Sequence, residues 1–273
     1  MRLKISHTTE YRYADPVQYS LQRLRLTPRT EPGQTVRDWK TTVHGAHVEA
    51  GYADHFGNHV DLVSTNAEQV VIRIVAEGEV ETEDRAGVFG PHQGHVPLWL
   101  YLRETPLTKP GRLVRELARA ATGENELARM HALMAAIHEA VAYKPGETAT
   151  ATTAEQALEK KQGVCQDHTH IFLSAARLMG LPARYVSGYL LMEEAEQTAS
   201  HAWAEVHLTG LGWVGFDAAN EICPDARYVR LSTGLDYKDA APVSGMVTGK
   251  AEETMDVSIK VEPVAQSQSQ SQS

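Results

Sequence analysis

Two cysteines, Cys165 and Cys223, are all that the 273 residues contain. That is too few for a disulfide framework, so in a reducing compartment each serves either packing or chemistry. Positive charge is short as well. The 26 Lys and Arg stand against 35 Asp and Glu, a net charge of −9, which offers no field to phosphate backbones or anionic lipid headgroups and argues against nucleic-acid and membrane partners. No apolar run approaches the length of a bilayer span, and the start Met1-Arg2-Leu3-Lys4-Ile5-Ser6-His7 mixes charge into the place of a secretory apolar region. The expectation is a cytoplasmic protein. What is present, 42% hydrophobic and 22% charged, lies within the globular range and fits one large domain or two.

Texture changes near residue 105. Before it, β-branched and alternating segments at Leu3–Tyr13, Val17–Leu26 and Val36–Val43 predict antiparallel strands. Gly57-Asn58 marks a tight turn within Asp54–His59, and the strands Val60–Val63 and Val70–Val75 that follow fit a hairpin. Residues 1–85 therefore read as an all-β domain, and 86–106, with Gly87, Gly90, Pro91, Gly94, Pro97 and Pro106, as a linker. Residues 107–250 carry helical periodicity at Leu113–Ala121 and Leu127–Val141, and a capping box, Thr153-Ala154-Glu155-Gln156, precedes a short helix that Gly163 ends. A further helix starts at about Cys165 and stops at Gly180 and Pro182; strands follow at 183–192, 202–208, 213–217 and 228–231. Residues 251–273, ending in a Gln-Ser repeat, read as a polar, disordered tail.

Chemistry concentrates where the central helix begins. Gly163-Val164-Cys165 feeds a thiol into a helix N-terminus, where free N–H groups and the helix dipole favour the thiolate. A lone cysteine is more often a buried small hydrophobe. Ser200-His201-Ala202-Trp203 opens one predicted strand and Gly215-Phe216-Asp217 closes the next. Pairing these strands as a hairpin brings His201 beside Asp217, a base for the thiol and an orienting carboxylate for the base.

The strings Gly163-Val164-Cys165-Gln166-Asp167-His168-Thr169-His170, Gly180-Leu181-Pro182-Ala183-Arg184-Tyr185-Val186-Ser187-Gly188-Tyr189, Ser200–Val206 and Gly212–Asp217 resemble the transglutaminase-like core of bacterial proteins described as cysteine proteases. Residues 1–85 resemble the β-rich N-terminal region that accompanies this core. The resemblance implies an α+β fold, with a papain-like core in which a helix carrying the nucleophile packs on an antiparallel sheet, after an all-β N-terminal domain. It also implies the catalytic triad Cys165, His201 and Asp217. Where the family commonly has Pro-Thr-Asn after the aspartate, this chain has Ala218-Ala219-Asn220.

The expected function is acyl transfer from a peptide or protein amide through a thioester on Cys165, hydrolytic in outcome. Transfer to an amine and a non-catalytic binding protein with the same fold are the alternatives. No Asp-x-Asp-x-Asp-Gly calcium loop occurs, and no cofactor or metal is expected. A metal set of Cys165, His168, His170 and His201 lacks the usual zinc spacing. Asp167 is expected to stabilise the helix dipole or to pair with Arg184, and His170 to pack beneath the site. Trp203, Trp213, Tyr143, Tyr185 and Tyr189 are candidates for substrate walls. For the oxyanion, the Cys165 amide is preferred to Gln166. Cys223 and the scattered His44, His47, His55, His59, His92 and His95 belong to no motif.

Overall fold

The computed structural model describes residues 1–17, 19–65, 68–193, 196–248 and 253–264. Its first strands are β1 (Arg2–Tyr13), β2 (Tyr19–Leu24), β3 (Gln34–His44), β4 (Ala46–Ala53), β5 (His59–Thr65) and β6 (Val71–Thr82). Then come β7 (Val88–Gly90), a 3-10 turn at Leu98–Leu102, α1 (Arg112–Ala120), α2 (Glu126–Ala140), β8 (Ala142–Tyr143), α3 (Ala154–Lys160), β9 (Gln162–Gly163) and α4 (Cys165–Leu178). They are followed by β10 (Ala183–Leu190), β11 (Glu196–Gln197), β12 (His201–Leu208), β13 (Gly212–Phe216), β14 (Tyr228–Gly234), α5 (Tyr237–Ala240), β15 (Val243–Thr248) and β16 (Glu253–Pro263).

The early strands form a sandwich because their side chains alternate between core and solvent. Leu3, Ile5, Tyr11 and Tyr13 of β1, Ile72 and Ile74 of β6, and Leu24 and Val63 of the facing sheet meet in one core. One sheet has the order β11-β16-β1-β6-β3, the other β15-β2-β5-β4. The turn at Asp54–Asn58 joins β4 to β5, which pair, whereas β6 crosses to the other sheet. Val60–Val63 and Val70–Val75 are thus not a hairpin with each other. Gly78 of β6 lies opposite a bulge in β3, where a Cβ would come 2.1 Å from the Asp38 carbonyl oxygen.

Three expectations about domain organisation fail here. Residues 253–263 of the supposed tail are strand β16, paired with β1 along its length, because Ile259 and Val261 are fully buried against the sandwich core. The Gln-Ser repeat lies outside the described residues. Segment 86–106 is not a bare linker either, since β7 adds an edge to a second antiparallel sheet, β14-β10-β12-β13-β7. β15, expected within the C-terminal core, pairs with β2 instead.

Helix α4 packs on that second sheet. Ile171, Phe172, Leu173, Ala175 and Ala176 are fully buried, and Phe172 stacks on Phe216 with ring centroids 5.3 Å apart. The α3 capping box forms: Thr153 Oγ1 accepts from the Gln156 amide at 3.3 Å, and Gln156 Oε1 accepts from the Thr153 amide at 3.0 Å. Lys161, with φ of 54°, rather than Gly163, turns the chain out of the helix. No helix among the described residues is long and apolar enough to cross a membrane.

If β16 holds the sandwich together, Ile259→Ala lowers the unfolding free energy by about 2–5 kcal/mol, the range for an emptied core site. Urea titration checks this; unchanged stability would return the segment to the role of a tail.

Candidate active site

The parallel pair β8 and β9 sets Tyr143 beside Gly163, just before Cys165. Asp167 then folds back on the turn, accepting the Val164 amide at 2.8 Å and the Thr148 hydroxyl at 2.7 Å on Oδ2. This close return requires glycine at 163, where a Cβ would stand 2.8 Å from Asp167 Oδ2. Burial raises the Asp167 pKa, opposed by those same donors. Cys165, at the first position of α4, has an amide with no acceptor inside the helix. Gln166 donates to the Thr150 carbonyl at 3.2 Å, which occupies its side chain.

His201 opens β12 and Asp217 follows β13, and their antiparallel pairing joins His201 Nε2 to Asp217 Oδ2 at 2.6 Å. The remaining nitrogen, Nδ1, takes no part in that bond, and Cys165 lies near enough to act on the charge of the ring. Asp217 is saturated. Its Oδ2 also accepts the Tyr228 hydroxyl at 2.7 Å and Asn220 Nδ2 at 2.7 Å, and its Oδ1 accepts the amides of Ala219 at 3.0 Å and Asn220 at 3.3 Å. Burial alone would neutralise this carboxylate, but His201, Asn220 and Tyr228 hold its pKa below the ordinary range. Burial likewise works against charge on His201, yet Asp217 and then Cys165 push its pKa up to about 10. Trp203 stacks on the imidazole, centroids 6.3 Å apart, and can do so because Gly188, opposite His201, leaves room: a Cβ there would meet the indole at 2.5 Å.

A family model for the transglutaminase-like superfamily matches residues 112–218, and one for the bacterial transglutaminase-like N-terminal region matches residues 3–81. The chain belongs to the transglutaminase-like superfamily. An uncharacterized protein of Mycobacterium leprae is 30% identical over 284 residues, covering 97% of this chain and 99% of that one. An uncharacterized Mycobacterium tuberculosis protein is 28% identical over 294 residues, covering 96% and 93%. A crystal structure from Cytophaga hutchinsonii, provisionally named a cysteine protease, superposes with a TM-score of 0.78 over 97% of this chain and 92% of that one, at 21% identity. That likeness is one of fold.

Other residues in this transglutaminase-like core take roles the sequence did not disclose. Arg184 pairs with Glu205, Nε to Oε2 at 2.7 Å, and not with Asp167. His168 directs Nδ1 at the Val164 carbonyl and Nε2 at the Val141 carbonyl, each 2.9 Å away, and so points neither nitrogen at Cys165. His170 accepts from the Tyr237 amide at 3.2 Å, and burial pulls its pKa down to about 4. Among the described residues no group of three or more His, Cys, Asp or Glu is arranged to hold a metal ion. Tyr189 faces His7 in the sandwich, Tyr185 is buried beside His170, and Trp213 lies under Arg184. Of the candidate walls only Tyr143, 56% exposed, borders Cys165 while open to solvent. Tyr228, with no motif to mark it, is found only through its contact with Asp217.

A raised His201 pKa favours the protonated ring in the fold. Its ionic contribution is complete below the ordinary value of 6.5 and is lost as pH rises through about 10. NMR titration is expected to show His201 protonated from neutral pH to well above it, with the midpoint falling in Asp217→Asn. At neutral pH iodoacetamide should alkylate Cys165 faster than Cys223, whose thiol pKa burial raises without a compensating base. Equal labelling rates would remove the distinction between the two thiols.

Proposed function

We propose that this chain is a cysteine-dependent acyl-transfer enzyme that cleaves a peptide or side-chain amide through a thioester on Cys165. The observation that carries this reading is the bond from His201 Nε2 to Asp217, which leaves Nδ1 uncommitted on a ring whose charge Cys165 influences. The thiolate attacks the amide carbonyl, forming a C–S bond, and the Cys165 amide N–H stabilises the developing oxyanion. The C–N bond then breaks as His201 Nδ1 gives its proton to the leaving nitrogen. Water attacks the thioester, His201 takes the proton from it, and the acid leaves as the thiolate re-forms. Asp217 keeps the imidazole oriented and stabilises its charge without itself taking the proton.

Hydrolysis is favoured over transfer to an amine because the Tyr143 side of the site is open, so water has access to the thioester. The substrate is a peptide or protein. Cys165 and Cys223 are free thiols, consistent with a reducing, cytoplasmic setting for the reaction.

Intact-mass measurement after incubation with peptide libraries is expected to reveal an acyl adduct on Cys165. Released free acid should exceed amide formed from added glycinamide; the reverse ratio would make the enzyme a transglutaminase. Asp217→Asn should slow single-turnover acylation by roughly two to four powers of ten, and His201→Ala and Cys165→Ser should abolish turnover with the fold kept. Acylation of Asp217→Asn at the parental rate would take that carboxylate out of the mechanism.

A further inference from the structure

Helix α4 covers one face of the second sheet. Ala202, Ala204 and Val206 of β12 face it, so His201, Trp203 and Glu205 lie on the other side of the strand. At the far end of that other side, a cavity of about 790 Å³ opens between the sandwich turn around Phe56, the segment 89–97 and the sheet. Its walls include Phe56, Phe89, Tyr101, Trp213, Arg184 and Arg230. The volume falls in the range of small-molecule sites.

The walls are built for charge. Glu205, fully buried, receives Arg184 Nε at 2.7 Å and Arg230 Nη2 at 3.0 Å on a single oxygen. Arg230 Nη1 also reaches Glu31 at 2.9 Å, and Arg29 stands 3.7 Å from the same carboxylate. Three guanidinium groups thus share two carboxylates, while Asp54, also on the wall, is paired with Arg25 at 3.2 Å. One positive charge is left over. Arg184 lies over the Trp213 ring at 4.1 Å and Arg230 over Phe89 at 4.7 Å, which fixes the guanidinium planes against flat apolar surfaces. His92 accepts the Trp213 indole N–H on Nδ1 at 3.1 Å and donates from Nε2 to the Val96 carbonyl at 2.6 Å, tying the loop to the wall. The cavity is therefore preformed.

We propose that this cavity binds a small organic monoanion, a carboxylate on a flat apolar body, at a site separate from Cys165. The carboxylate meets the surplus guanidinium charge and the apolar body lies among the aromatic rings. Neither Cys165, His201 nor Asp217 lines the cavity. Glu205 stands four residues along β12 from His201, about 13 Å at ~3.3 Å per residue. Between them the side chains of Trp203 and Tyr228 are buried, rings 5.3 Å apart, and fill the strand face.

Titration calorimetry and ligand-observed NMR with phenylacetate, indole-3-acetate and hexanoate test this, with indole-3-acetamide as the neutral control. Saturable binding of indole-3-acetate is expected, at least about tenfold tighter than the amide. Arg29→Gln removes the surplus charge from a partly exposed position and should weaken binding by roughly tenfold. Gln93→Trp, at the exposed rim, should obstruct entry while Cys165 alkylation stays at the parental rate. No saturable binding of any of the three anions up to millimolar concentration overturns the proposal. So does equal affinity for acid and amide, or binding that neither variant alters.

Discussion

A helix that carries Asp167, His168, His170 and Arg177 into the interior can be buried only if partners meet those polar groups, and α4 is buried along nearly its whole length. Arg177 shows the cost being offset. It makes five hydrogen bonds, to the carbonyls of Tyr101, Ala183 and Leu235 and to the Thr108 hydroxyl. Burial still lowers its pKa to about 10. The segments it gathers are the loop before α1, the start of β10 and the turn before α5. At the other end Asp167 and His168 bind the Val164 backbone. A helix with well-packed apolar residues at such positions is often no less stable. This one is held in a single position at both ends, and that fixes where Cys165 stands.

The facing half of the site depends on backbone geometry more than on side-chain identity. β10 shifts register between Ser187 and Gly188, and Gly188 lets the Trp203 ring come against the strand beneath His201. The imidazole is then oriented by stacking on one face and by a charged hydrogen bond at one edge. Because Asp217 is filled by five donors, only one of them from His201, its orientation does not depend on that histidine. Asn220, the residue retained where the neighbouring Pro and Thr of the family pattern are absent, supplies two of those donors.

Local features were legible. The Gly163-Val164-Cys165 turn, the β12–β13 hairpin and the Thr153 cap each involve residues close in sequence, whose spacing carries the information. Pairings over long separations were not. Val257, Ile259 and Val261 alternate as a strand should, but the adjoining Gln-Ser repeat outweighed them. β4 is exposed at nearly every position and so has no hydrophobic period to read. The Arg184–Glu205 pair and the Tyr228 contact with Asp217 arise from register between strands, which composition does not encode. His55 and His92, scattered in sequence, come to the same cavity for the same reason.

The arrangement of β15 and β16 bears on how the protein is made. β1 has β6 on one side and β16 on the other, and β2 has β5 on one side and β15 on the other. During translation both sheets of the sandwich therefore wait with open edges, rows of unpaired amides and carbonyls able to capture another strand, one until Thr248 and the other until Pro263 has been synthesised. The strands that leave the ribosome late seal those that left early, so the N-terminal region is closed from far along the chain, by pairings of the long sequence separation that tends to slow folding.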